Sequence, residues 1–174
     1  AHIWAERHNY RITHSGAVGR MAECYYRVGS YENALIFYRE CISEMRRDGI
    51  HTLYRMQLYL RMLSGYGYCL IRQKQSQEAL MVAEELKQHI SENTLNSGVE
   101  LAVYGFLGCC YYEHNEPEQA AYYTEMAIGA VLCQKRMYGV IDSILSLVEY
   151  LCRSKQFKRL QEVLEWERKY DQDT

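Results

Sequence analysis

A single proline, Pro117, stands in 174 residues whose apolar positions otherwise recur every three or four residues. Proline breaks a helix interior by removing a donor and clashing with the preceding turn. A chain that nearly lacks it, and keeps helical periodicity throughout, is therefore constrained to be all-α. The place where the proline falls is informative. In VELAVYGFLGCCYYEHNEPEQAAYYTEMAI, residues 99–128, Tyr104, Leu107, Gly108 and Tyr111 lie on one helical stripe. Asn115, Glu116 and Pro117 then interrupt the pattern. Proline suits the first position of a new helix, where its missing N–H would have been unsatisfied anyway. Ala120 and Ala127 follow, small enough for two helices to approach closely. The stretch predicts two antiparallel helices joined by a tight turn.

The same arrangement recurs. Aligned on the residue early in each second helix, the copies sit at Ala34, Ala79, Ala120 and Leu160, which are 45, 41 and 40 residues apart. Twelve positions before each anchor stand Ala22, Gly67, Gly108 and Val148, and just ahead of these Met21, Tyr66, Leu107 and Leu147. Two further columns hold Val18, Leu63, Tyr104 and Ile144, and Tyr25, Leu70, Tyr111 and Leu151. Small residues would let the paired helices touch while large ones fill the space beside them. Helix pairs are expected over about 13–47, 51–90, 99–133 and 137–170, in one domain spanning 1–174. Ile3 and Trp4 read as a separate short helix before the first pair. Ser30, Ser76 and Ser154 are candidate N-caps, and Asp48–Gly49 reads as a helix stop. The segment SENTLNSG, residues 91–98, reads as a polar connection.

Tyr104, Leu107, Gly108 and Tyr111, followed by Ala120, resemble the tetratricopeptide signature W-x2-L-G-x2-Y…A-x3-F. The resemblance covers about residues 13–170 and implies an α-α superhelix, a solenoid of about four antiparallel helix pairs, with a weakly matching last copy as a capping repeat. The period exceeds the roughly 34 residues of a simple array. In that respect the chain resembles the sensor domains of Gram-positive regulators that bind signalling peptides. The resemblance implies a non-catalytic protein- or peptide-binding module, the regulatory or sensor part of a bacterial signalling or transcription regulator. Two other readings stay open: a sensory or oligomerising domain of a multidomain signalling enzyme such as a nucleotide cyclase, and a constitutive assembly scaffold. The family's chaperone-tail clamp needs Lys and Asn where this chain has Gly19, Glu23, Ser64 and Tyr68.

Composition narrows the function classes. At 48% hydrophobic the chain can bury a core. Its formal charge of −2, with no basic block, gives no sign of a nucleic-acid surface. No apolar run approaches the ~20 residues of a membrane span. Seven cysteines at irregular spacing, without C-x-x-C, read as buried reduced thiols of a cytoplasmic protein. No two histidines stand at i, i+4, and no nucleophile elbow, phosphate loop or dinucleotide fingerprint occurs. No enzyme, cofactor or metal site is expected. Because the first residue is Ala, the segment is expected to belong to a longer protein.

In tetratricopeptide proteins the first helix of each pair lines the concave face. Carried over, that layout implies groove residues Glu23, Tyr26 and Arg27; Arg61, Tyr68 and Arg72; Tyr112 and Glu113 beside Cys109; and Glu149 and Arg153 beside Asp142. Arginine forks match carboxylates, and tyrosine gives rigid contact area at low entropic cost. The mixture would suit a peptide carrying acidic groups or a C-terminal carboxylate. In the last helix Val163, Trp166 and Tyr170 form a second apolar stripe, expected to dock a further domain or to make a homodimer.

Overall fold

The computed structural model describes the backbone of residues 2–92, 95–134 and 141–172, and the side chains of 14–90, 95–134, 141 and 143–168. Eight helices make up the described residues: α1 (His2–Arg27), α2 (Tyr31–Asp48), α3 (Leu53–Arg72), α4 (Ser76–Glu92), α5 (Ser97–Glu113), α6 (Pro117–Leu132), α7 (Ile141–Arg153) and α8 (Phe157–Gln172). The fold is all-α, and its helix–helix packing is of the kind that builds α-α superhelices. None of these helices is long and apolar enough to cross a membrane. The chain forms two compact units, Ala1–Gln75 and Ser76–Thr174. Parts of the polar connection at 91–98 and the expected start of the last pair near Met137 lie outside the described residues.

One turn geometry ends α1, α3, α5 and α7. Gly29, Lys74, Asn115 and Lys155 have φ of 76°, 59°, 58° and 56°, each five positions before an anchor residue. In every case the next amide reaches back to close the helix end: Ser30 N to Tyr25 O, Gln75 N to Leu70 O, Glu116 N to Tyr111 O and Gln156 N to Leu151 O, all at 2.9–3.0 Å. A residue in the left-handed region followed by this six-to-one bond is the Schellman stop, which satisfies carbonyls the helix leaves orphaned. The repeat register inferred from small residues is thus also the register of the turns.

The first unit is built from α1, α2 and α3. Ser15 meets Cys41 and Glu44 while Tyr25 stacks on Phe37, so α1 and α2 run antiparallel. Arg39 meets Tyr66 while Arg46 meets Tyr59, so α2 and α3 do likewise. Parallel α1 and α3 then lie side by side, Gly19 against Met62 and Glu23 against Arg61. Thr52 caps α3 through the Arg55 amide at 3.2 Å, and Gly49 stops α2 at φ 82°.

In the second unit α5 is the centre. Every residue from Leu101 to Tyr111 is buried, because α4, α6 and α7 all pack on this helix. A helix apolar all round must be enclosed. Asn96 caps it through the Val99 amide at 3.0 Å, and Pro117 opens α6 as its missing N–H predicts. A Cβ on Gly108 would stand 3.0 Å from Thr124 Oγ1 and 3.4 Å from Ala120 O. That is the close approach for which the small residues are needed.

Several expectations need correction. The first helix starts at His2 rather than Thr13, since nothing between them breaks helical geometry. Ser76 is already inside α4. Ser154 closes α7 instead of opening α8: its hydroxyl donates to Tyr150 O at 2.9 Å. Four cysteines are buried, but Cys24, Cys133 and Cys152 are exposed, and all seven are free thiols. Val163, read as part of an outer stripe, is 1% exposed. Because α8 packs on α6 and α7, the Val163 side of the helix is its inner face.

Candidate functional site

In the first unit, parallel α1 and α3 gather the candidates that sequence separates by about 40 positions. Glu23 Oε1 accepts from Arg61 Nε at 3.0 Å and from Arg61 Nη2, and Arg20 Nη1 stands 3.7 Å from the other carboxylate oxygen. Glu23 is only 8% exposed, so its charge is compensated by the two guanidinium groups beside it. One turn on, Tyr26 and Tyr68 bring their rings to 6.5 Å. Tyr31, the first residue of α2, stands 5.7 Å from the Tyr26 ring, and the Arg72 guanidinium lies over the Tyr31 ring, 5.8 Å from its centroid. Glu23, Arg61, Tyr26, Tyr68, Tyr31 and Arg72 therefore form a continuous strip. Tyr38 lies beneath it, and burial raises its hydroxyl well above the usual tyrosine range, with Cys69 and Glu23 adding to the effect.

The groove reading needs amendment here. Glu23 and Tyr68 are buried, forming the floor of the strip more than its surface. Arg61 is committed to Glu23. Tyr26, Tyr31 and Arg72 are half-buried and Arg27 is exposed. Tyr31 was not among the sequence candidates because it belongs to a second helix. Its place immediately after the Gly29–Ser30 turn is the signal that could have found it.

The second unit has its own group. Arg153 Nη2 donates to Glu113 Oε1, joining the C-terminal ends of α5 and α7. Exposed Tyr112 meets Tyr150 edge-on at 5.7 Å, and the Tyr150 hydroxyl lies 3.1 Å from Thr124 Oγ1. Burial raises the Tyr150 hydroxyl, and hydrogen bonds to Thr124 and Gln156 oppose that shift. Glu149 is half-buried. Cys109 is buried and cannot face a groove, again because α5 is enclosed on all sides. The Asp142 side chain lies outside the described residues. So does that of Tyr170, which leaves half-buried Trp166 from the proposed docking stripe.

A third polar group, missed from sequence, links α4 to α5. Lys87 Nζ donates to the Tyr111 hydroxyl at 3.0 Å and to both Glu84 oxygens, and Tyr111 donates to Glu84 Oε1 at 3.0 Å. Burial pushes Tyr111 up to about 12, against the lowering bond from Lys87. Bonds to Lys87 hold Glu84 below its ordinary value, and bonds to Tyr111 and Glu84 raise Lys87. These three groups brace α4 on α5.

Burial pushes Cys41, Cys69 and Cys110 up to about 12, far from the thiolate form that attacks substrates. No protein-family model matches the chain, and no curated protein matches it either.

Proposed function

We propose that the chain is a non-catalytic binding module that takes a peptide or an extended protein segment along the α1–α3 strip, and that it serves as the sensor part of a signalling or transcription regulator. The observation that carries this reading is the strip's mixture of rigid aromatic area and guanidinium charge. Tyr26 and Tyr31 offer adjoining rings over the buried Tyr68, while Arg20, Arg27, Arg61 and Arg72 stand on the adjacent segments of α1 and α3 against Glu23 there and Glu32 beside Tyr31 on α2. The excess positive charge favours an acidic peptide or a C-terminal carboxylate. Arg61 is committed to Glu23, and Arg72, at the end of α3 and 5.8 Å from the Tyr31 ring centroid, is the guanidinium we assign to the peptide carboxylate. The 45-, 41- and 40-residue spacing of the turns supports a long-repeat sensor over a simple array.

A peptide array that pairs free C-terminal carboxylates with their amides tests this, read by fluorescence polarisation. The expected outcome is preference for the free carboxylate, weakened about tenfold or more in Arg72→Ala, as loss of a hydrogen bond to a charged group would produce. Equal binding of acid and amide peptides would contradict the proposal. Arg61→Ala is the poorer probe, because it also strands Glu23.

A further inference from the structure

Away from the strip, on the opposite stretch of the α1–α2 contact, three groups able to bind a metal converge. Glu40 and Glu44 are one turn apart on α2 and so project from the same side. His14 reaches them from α1: its Nδ1 stands 3.1 Å from Glu44 Oε2. One ligand atom from each of the three residues lies within 4.8 Å of the others. We propose that His14, Glu40 and Glu44 form a binding site for one divalent transition-metal ion.

The donor set selects the ion. One imidazole and two carboxylates suit the borderline divalent metals, manganese, iron, cobalt or zinc, better than Mg²⁺, which prefers all-oxygen surroundings. Ligands about 2.1 Å from an ion are spaced roughly 3–3.5 Å apart. His14 and Glu44 already meet that spacing, and exposed Glu40 closes the remainder by side-chain rotation. All three stand on helices, which fixes their backbone positions.

Two features favour an ion over a simple His14–Glu44 hydrogen bond. Such a bond leaves Glu40 and Glu44 as like charges at i, i+4, an arrangement that is mildly destabilising and that a bound cation would relieve. In addition Ser15, 1% exposed, donates its hydroxyl to Glu44 Oε2 at 2.9 Å. A buried donor that orients a ligating carboxylate is the kind of outer-shell support that metal sites use. The His14 side chain is 41% exposed and that of Glu44 20%, so an ion can enter from solvent and water can complete its coordination.

Cobalt(II) is the probe, because its absorption spectrum separates nitrogen and oxygen ligation from thiolate ligation at the exposed Cys24, Cys133 and Cys152. The metal-free full chain is titrated with cobalt(II) by calorimetry and absorbance, beside Glu40→Gln and His14→Ala. Glu40→Gln changes an exposed side chain, and circular dichroism checks that its helices remain intact. The proposal expects one ion per chain, no thiolate charge-transfer band, and affinity reduced at least about tenfold in both variants. It is overturned if the wild type retains no ion, if the thiolate band appears, or if Glu40→Gln binds as the wild type does.

Discussion

Lys74 and Lys155 occupy the left-handed region with φ of 59° and 56°, a conformation that costs a residue with a Cβ about 1–2 kcal/mol. Glycine escapes that cost but gains freedom in the unfolded chain, which offsets part of it. Lys74→Gly and Lys155→Gly are therefore expected to stabilise their units by about 0.5–1 kcal/mol, and Gly29→Ala to destabilise by about 1 kcal/mol. Urea midpoints at constant m-value measure all three. These positions show where sequence reading falls short at this scale. Gly29 announces a turn by its type, and Asn115 does so more faintly. Lysine carries no such signal, and only the register of the repeats points to Lys74 and Lys155. Val163 fails for a different reason. Apolar periodicity finds a stripe but does not say which of two neighbouring stripes faces inward.

Between elements, the account rests on pairs that join first helices. Glu23 on α1 and Arg61 on α3 are 38 positions apart, Glu113 and Arg153 are 40 apart, and neither partner could be assigned from sequence. What sequence did supply was the set of first-helix faces on which all four residues lie. Removing Arg61 leaves a nearly buried carboxylate without its nearest cation. Arg61→Ala is expected to cost about 2–4 kcal/mol, and Arg61→Ala with Glu23→Gln distinctly less than Arg61→Ala alone. A double-mutant cycle by urea unfolding gives the coupling. The enclosure of α5 has a chemical counterpart. Cys109 and Cys110 are buried there and Cys41 and Cys69 elsewhere, so a thiol reagent should modify three cysteines rapidly, Cys24, Cys133 and Cys152, and all seven only after denaturation. Rapid labelling of five or more in the native chain would contradict the buried helix faces.

For the molecule as a whole, the burial and bonding of titratable groups shape how stability depends on pH. Cys41, Cys69, Cys110 and Tyr111 lie at about 12, above their ordinary values near 8.5 and 10. Raised pKa values mean that the native chain holds protons the unfolded chain has released. Their contribution is complete below about pH 8.5 and is lost as pH rises toward 12. Glu84 runs the other way, its contribution present above about pH 4.3 and lost on acidification through its lowered native value. The urea midpoint should hold steady near neutrality and fall progressively above about pH 9; a flat alkaline limb would contradict the burial of these groups. All-α class and repeat register were legible because they depend on local periodicity. The strip was legible only in part: its helix faces were, while its buried floor and Tyr31 depend on packing.

The central claim, that the α1–α3 strip holds a peptide, is tested most directly by native mass spectrometry of the chain as purified from cells, beside its denatured mass. The account predicts a retained peptide mass on the wild type that disappears in Arg72→Ala while the helical signal is unchanged. The bare chain mass for the wild type, or a retained mass equally present in Arg72→Ala, would contradict it.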